Sequence, residues 1–171
     1  MLSDRMQKRL NAQMIAETYS SYLYLSMNAY FKSVNLDGFA NWMYAQAQEE
    51  LMHAMKFYEF INQRGGRVIL AAIEAPPNEW DGPMAVFEDT LKHEQKVTGL
   101  INDLVEVALE ERDHATQIFL QWFVTEQVEE DSVGNVLEQL KLLGDAKGGL
   151  FMMDRELAKR QAPDMSTELE S

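Results

Sequence analysis

Glu17, Glu50, His53, Glu94, Gln127 and Glu130 each interrupt an apolar helical seam near the middle of its helix. Helices of similar length that pack in register share a midpoint whichever way they run, so these six side chains are expected to meet at one level of the interior. Carboxylates gathered out of water repel one another and are poorly solvated. They need protons or a cation between them. Glu17, Glu50, Glu94 and Glu130 carry four negative charges, and a pair of divalent ions carries four positive ones. Glu50 is placed to bridge the pair. His53, one turn on and on the same face, adds a nitrogen. Hard oxygen ligands with an imidazole suit Fe(II) or Mn(II), and zinc also binds such a set. Two adjacent ferrous ions can together give two electrons to dioxygen. Gln127 carries no charge and suits hydrogen bonding to a bound oxygen species or water better than holding iron.

Glu49, Glu126 and Glu129 form a second acidic set, which with Glu130 shared makes a candidate third ion site. A solvated helix face is the plainer account of the run 126–131. Tyr24 lies seven residues beyond Glu17 on the same stripe, placed to supply an electron or hydrogen-bond a ligand; otherwise it is a core aromatic. Trp122 reads as packing, and His93 and His114 as surface or partner-facing residues. No Lys or Arg stands in the middle of the seams.

The elements that must position these groups are helices. Ser3 or Asp4 caps a first helix ending near Lys32, with seam Leu10, Glu17, Tyr24, Phe31. Asp37 caps a second, with seam Phe39, Met43, Gln46, Glu50, His53, Phe57, Phe60, which stops at Gly65-Gly66. Pro83 opens a third running to about Glu111, with seam Phe87, Leu91, Glu94, Thr98, Ile101, Val105, Ala108. A fourth runs from near Asp113 to about Leu143 through Leu120, Phe123, Gln127, Glu130, Gly134 and Leu137. Gly144 ends it, and a shorter fifth helix covers about 145–160. Steps of three and four mark helices crossing at shallow angles. Residues 67–82, with Pro76 and Pro77, form a long connection reaching roughly 50 Å when extended, against roughly 42 Å for a 28-residue helix. It can cross the whole bundle. Within it, 68–73 reads as a packed loop or as a short outer strand that pairs with a second subunit. The fold class is therefore all-α: a four-helix bundle with one long crossover between helices two and three and a short fifth helix. Residues 1–160 form the domain, and 161–171 an acidic tail expected to be disordered.

The bulk numbers agree. A chain of 171 residues, 46% hydrophobic, with 4 prolines and 9 glycines, suits one helix-rich domain. Acids outnumber bases 28 to 15, and the net charge of -13 attracts small cations while disfavouring nucleic acid and anionic lipid. The chain has no cysteine, which excludes disulfides, thiolate zinc sites and iron–sulfur clusters within it. No membrane-spanning run or secretory leader is evident, so a cytoplasmic location is expected.

The segments AETYSSYLYLSM around Glu17 and Tyr24, NWMYAQAQEELMHAMKFYEFINQRGGR around Glu50 and His53, HE at 93–94 and FLQWFVTEQVEED through Glu130 carry a specific resemblance. Over nearly its whole length the chain resembles the prokaryotic non-haem ferritins. The resemblance implies a two-iron ferroxidase centre at Glu17, Glu50, His53, Glu94 and Glu130 with Gln127 close by. It also implies a third iron site at Glu49, Glu126, Glu129 and Glu130, and a family tyrosine at Tyr24. It implies Fe(II) and dioxygen or peroxide as substrates, and a homo-oligomeric shell of 24 subunits storing ferric mineral, the fifth helix lying around the four-fold axes. Bacterioferritins repeat Glu-x-x-His on the fourth helix, where this chain has Gln127-x-x-Glu130. Their haem-ligating Met follows the bridging Glu, where this chain has Leu51, so no haem is expected. Rubrerythrins need cysteines, and mini-ferritins build their site between subunits. Two competitors stand beside this reading: a di-iron or di-manganese oxidoreductase acting on an organic substrate, and a structural helical protein whose acids serve solubility.

Overall fold

The computed structural model describes residues 2–126, 129–144 and 147–163, and only the backbone of residues 129–131 and 147. Six helices follow in order: α1 Asp4–Ser33, α2 Asp37–Gln63, α3 Pro83–Glu110, α4 His114–Glu126, α5 Glu129–Leu143 and α6 Lys147–Leu157. The expected fourth helix corresponds to α4 and α5 together, and residues 127–128 lie outside the described residues. No strand is present among the described residues, so the outer-strand expectation for 68–73 is replaced by a loop. That loop's backbone is tied to α1: Asn11 accepts from the Ile69 amide at 2.6 Å and donates to the Arg67 carbonyl at 3.0 Å. Those two bonds occupy the Ile69 N–H and the Arg67 carbonyl. Among the described residues, no helix is long and apolar enough to cross a membrane.

The helix ends follow local chemistry. Ser3 accepts from the Met6 amide at 3.0 Å and caps α1. Gly65, at φ 71°, ends α2 in the left-handed region open to glycine. Pro83 sits in the first turn of α3. Asp113 accepts from the Thr116 amide at 3.2 Å at the start of α4. Burial works against its charge, but the bonds from Thr116 and Arg64 outweigh it and hold its pKa below the usual value. Asp37 does not cap α2, contrary to expectation: it lies inside the first turn and pairs with Lys32 at 2.7 Å.

α1 and α2 pack along their length, α3 packs on α1, α4 and α5, and α6 lies on α2 and α5. The apolar interior is split in two. One cluster holds Tyr24, Met27, Phe31, Phe39, Met43, Ala47, Phe87 and Val133; the other holds Leu10, Met14, Phe57, Ile61, Ile101, Leu120 and Phe123. Every long helix contributes to both, and on every one the crossing falls at the same depth: 14 to 23 on α1, 47 to 57 on α2, 87 to 101 on α3, and 123 to 133 between α4 and α5. The buried polar residues Glu17, Ser20, Ser21, Glu50, His53, Thr90 and Glu94 occupy that gap. The apolar halves enclose the layer from both sides. Phe57 is fully buried, with its ring centroid 4.4 Å from that of Phe123 and 5.2 Å from that of Phe119. Phe57→Ala is expected to cost about 3–5 kcal/mol in unfolding free energy, read from chemical denaturation of the metal-free protein.

Candidate metal centre

The bundle brings Glu17 of α1 and Glu50 and His53 of α2 together. One ligand atom from each lies within 4.8 Å of the others, and all three residues are buried. His53 Nδ1 is 3.6 Å from Glu50 Oε2. Glu17 and Glu50 arrive from neighbouring antiparallel helices, and Glu50 and His53 share a face because they lie one turn apart. Glu94 of α3 is also buried at this level. It joins the others through an amide: Gln46 Nε2 lies 3.4 Å from both Glu50 Oε1 and Glu94 Oε1. Tyr24 is fully buried and donates its phenolic proton to Glu94 Oε1.

The electrostatics match a cation-demanding site. Glu17 is pushed up from 4.5 to about 8, first by burial and then by the charge of Glu50, with His53 and the amide of Gln13 acting in the opposite direction. Its Oε1 accepts from Gln13 Nε2 at 2.8 Å, while the buried Oε2 has no hydrogen-bond partner among the described residues. A buried carboxylate oxygen in that state takes a proton shared with Glu50, or a metal ion. The donor set of carboxylates with one imidazole fits Fe(II) and Mn(II).

Other expected residues fall differently. Gln127 lies outside the described residues, as do the side chains of Glu129 and Glu130. Glu126, at the end of α4, is half-buried and close enough to Glu49 to repel its carboxylate. Burial pushes the Glu49 pKa up while Arg160 opposes the shift. Arg160 Nη2 donates to Glu49 Oε2 at 2.5 Å and to Gln46 Oε1 at 2.8 Å. The seams carry no base at this level, but the segment after α6 delivers one to the rim of the layer. It contacts Glu49 and Gln46, not the Glu17–Glu50–His53 group. His93, expected at the surface or facing a partner, is half-buried beside Tyr19 and Tyr24, with its Nε2 2.8 Å from Ser20 Oγ. Burial, then Lys96, pushes its pKa down to about 4, so it is neutral. Trp122 and Phe123 pack edge-on to the His53 ring at 5.3 and 5.7 Å, in keeping with Trp122 as packing. Gln13, Gln46 and Arg160 were not among the expected site residues. The only trace of the two glutamines in the sequence is a polar side chain four residues before an acid on the same face.

Comparison with known proteins adds lineage to this geometry. Residues 7–143 match the family model for the Ferritin-like domain. The chain is 42% identical over 161 residues to the bacterial non-heme ferritin of Bacteroides fragilis, covering 94% of this chain and 100% of that protein. It is 40% identical to the bacterial non-heme ferritin of Staphylococcus epidermidis, over 94% of this chain and 97% of that one. Among solved structures, an open-pore ferritin from the hyperthermophilic archaeon Archaeoglobus fulgidus superposes with a TM-score of 0.92 at 54% identity, covering 94% of this chain and 100% of that chain. A closed form engineered from the ferritin of the same archaeon gives a TM-score of 0.93 at 52% identity, over 95% and 100% of the two chains.

Proposed function

The chain belongs to the ferritin family, and from that premise we propose that it stores iron by oxidising Fe(II) at the Glu17–Glu50–His53–Glu94 layer and depositing Fe(III) inside a multisubunit shell. The observation that carries the proposal is the buried convergence of Glu17, Glu50 and His53, with a Glu17 carboxylate oxygen that no described residue hydrogen-bonds. Iron is the substrate here. Entering ferrous ions take the place of the proton that Glu17 holds at neutral pH, and Glu50 is assigned the role of bridging the two ions. Each ion gives up one electron. Dioxygen accepts the two electrons with two protons and leaves as hydrogen peroxide; where peroxide is the oxidant, the same electrons and protons convert it to two waters. Gln46 and Tyr24 both bond Glu94 Oε1 and hold that carboxylate in place, and the apolar clusters above and below exclude water. Gln127 and Glu130 complete the layer in this reading, and Glu49, Glu126, Glu129 and Glu130 form an accessory ion site on the path inward. The shell is proposed to contain 24 copies, with no haem and a cytoplasmic location. The family match favours storage over an oxygenase, and Trp122 and Phe123 pack against the His53 ring.

The test is to add ferrous salt in air to the metal-free assembled protein. The proposal expects rapid ferric absorbance and iron that co-sediments with a large, uniform shell in a density gradient. Oxidation no faster than in buffer, or iron that precipitates apart from the protein, contradicts it.

A further inference from the structure

The segment from α6 onward is fastened along one face of α2, at every turn from its start to the metal layer. Asp154 Oδ1 accepts from the Gly38 and Phe39 amides at 2.8 and 3.0 Å, supplying the cap that Leu36 cannot. The approach is so close that a Cβ on Gly38 would fall 1.6 Å from the Asp154 carbonyl oxygen. One turn on, Asn41 Nδ2 donates to the carbonyls of Leu157, Ala158 and Arg160 at 3.4, 3.3 and 2.9 Å. The Arg160 guanidinium then lies over the Trp42 ring, 4.2 Å from its centroid, and reaches Gln46 and Glu49. The side chains of Arg160 and Glu49 are each only 20% exposed, so their charges meet partly out of water.

We infer that Arg160 is the resident counter-cation of the accessory ion site, holding the Glu49 carboxylate until an incoming divalent ion displaces it. The inference rests on the reading of Glu49 as an accessory ligand. Its physical basis is competition for one carboxylate. Glu49 Oε2 cannot keep a guanidinium N–H at 2.5 Å and accept a metal ion on the same side. A divalent ion and a guanidinium a few ångströms apart repel each other strongly where water is scarce. Release does not strand Arg160, because Trp42 and Gln46 remain as its perch. Its buried Nη1 has no acceptor among the described residues, so the guanidinium is incompletely satisfied where it stands. The charge also explains how Glu49 and Glu126 tolerate each other before iron arrives. Arg160 is thus a positioning residue for the accessory site, and it links the docking of the C-terminal segment to the affinity of that site.

Zinc, a redox-inert divalent ion, tests this by calorimetric titration of the assembled, metal-free protein. Wild type is compared with Arg160→Gln, Arg160→Lys and Glu49→Gln. Arg160→Gln is expected to tighten the weakest zinc event about tenfold while the tighter events move by less than about twofold. Arg160→Lys, which keeps the charge but loses the planar fork and the stacking on Trp42, is expected to fall between wild type and Arg160→Gln. An unchanged or weakened event in Arg160→Gln overturns the inference, as does Arg160→Lys behaving like Arg160→Gln. Loss of the assembled form on size exclusion in both Arg160 variants identifies a structural strut and overturns it as well. Glu49→Gln is expected to abolish the weakest event; if that event survives, the accessory-site reading is itself wrong and the inference falls with it.

Discussion

Glu17→Gln and His53→Ala are each expected to slow aerobic oxidation of Fe(II) about a hundredfold or more relative to wild type, because each removes a proposed ligand from a site proposed to hold two ions at once. The Glu17 variant is the sharper of the two. Glutamine keeps the shape of the side chain and can still meet Gln13, but it removes the charge that neutralises an incoming cation. In the metal-free protein, Glu17 is buried, repelled by Glu50 and largely protonated at neutral pH. Making it permanently neutral therefore leaves the fold intact, and the thermal midpoint without metal stays level or rises. Activity and stability move independently, which separates a ligand from a structural residue. Stopped-flow measurement of ferric absorbance, beside scanning calorimetry of the same chelator-treated samples, checks both. Rates within twofold of wild type in both variants would remove these residues from the oxidation site.

The second large effect is the pH dependence of the metal-free protein. The Glu17 carboxyl titrates near 4.5 in an unfolded chain and at about 8 in the folded one. Between those values the folded state binds the extra proton. This residue's contribution to stability is therefore fully present below about pH 4.5 and is lost as pH rises through about 8. Inside that window each pH unit removes up to about 1.4 kcal/mol. The rest of the acidic surface adds its own slope, so the informative quantity is the difference between wild type and Glu17→Gln. The thermal midpoint of wild type is expected to fall from pH 5 to 8 more steeply than that of the variant. With zinc present the sign reverses, because metal competes with the proton and binds better as pH rises. Identical slopes in wild type and variant would show that Glu17 does not hold a proton in the folded state.

Most of the fold, and the heart of the site, were legible in the sequence for a single physical reason. A seven-residue stripe such as Leu10, Glu17, Tyr24, Phe31 specifies both the face that is buried and the depth of the one residue that does not belong there. Placing Glu17, Glu50, His53 and Glu94 at one level needed only helices of similar length. What periodicity could not show was where a distant segment returns. Arg160 lies 111 residues from Glu49 along the chain, and nothing in its own surroundings marks it as a partner of that acid. The same holds for Asp154, which caps α2 from the far end of the sequence and leaves Asp37 free to pair with Lys32. Residues 68–73 have strand-forming side chains, but Asn11 ties the Ile69 N–H and the neighbouring Arg67 carbonyl to α1, a contact that composition does not encode. His93 sits beside Glu94 yet points to another face, and only the packing of Tyr19 and Tyr24 decides that this face is covered. Gln46 looked like a polar member of an apolar seam. Its role came from geometry: Arg160 holds its oxygen and so aims its amide nitrogen at Glu50 and Glu94.

The central claim is that the charged layer between the two apolar clusters exists to hold a pair of iron ions. Anomalous scattering at the iron edge, from crystals soaked in Fe(II) without oxygen, addresses it directly. Two strong peaks are predicted in the layer, one touching Glu17 and His53, the other Glu94, with Glu50 in contact with both. Crystals that take up iron elsewhere on the protein while Glu17, Glu50 and His53 show no peak between them would contradict the account.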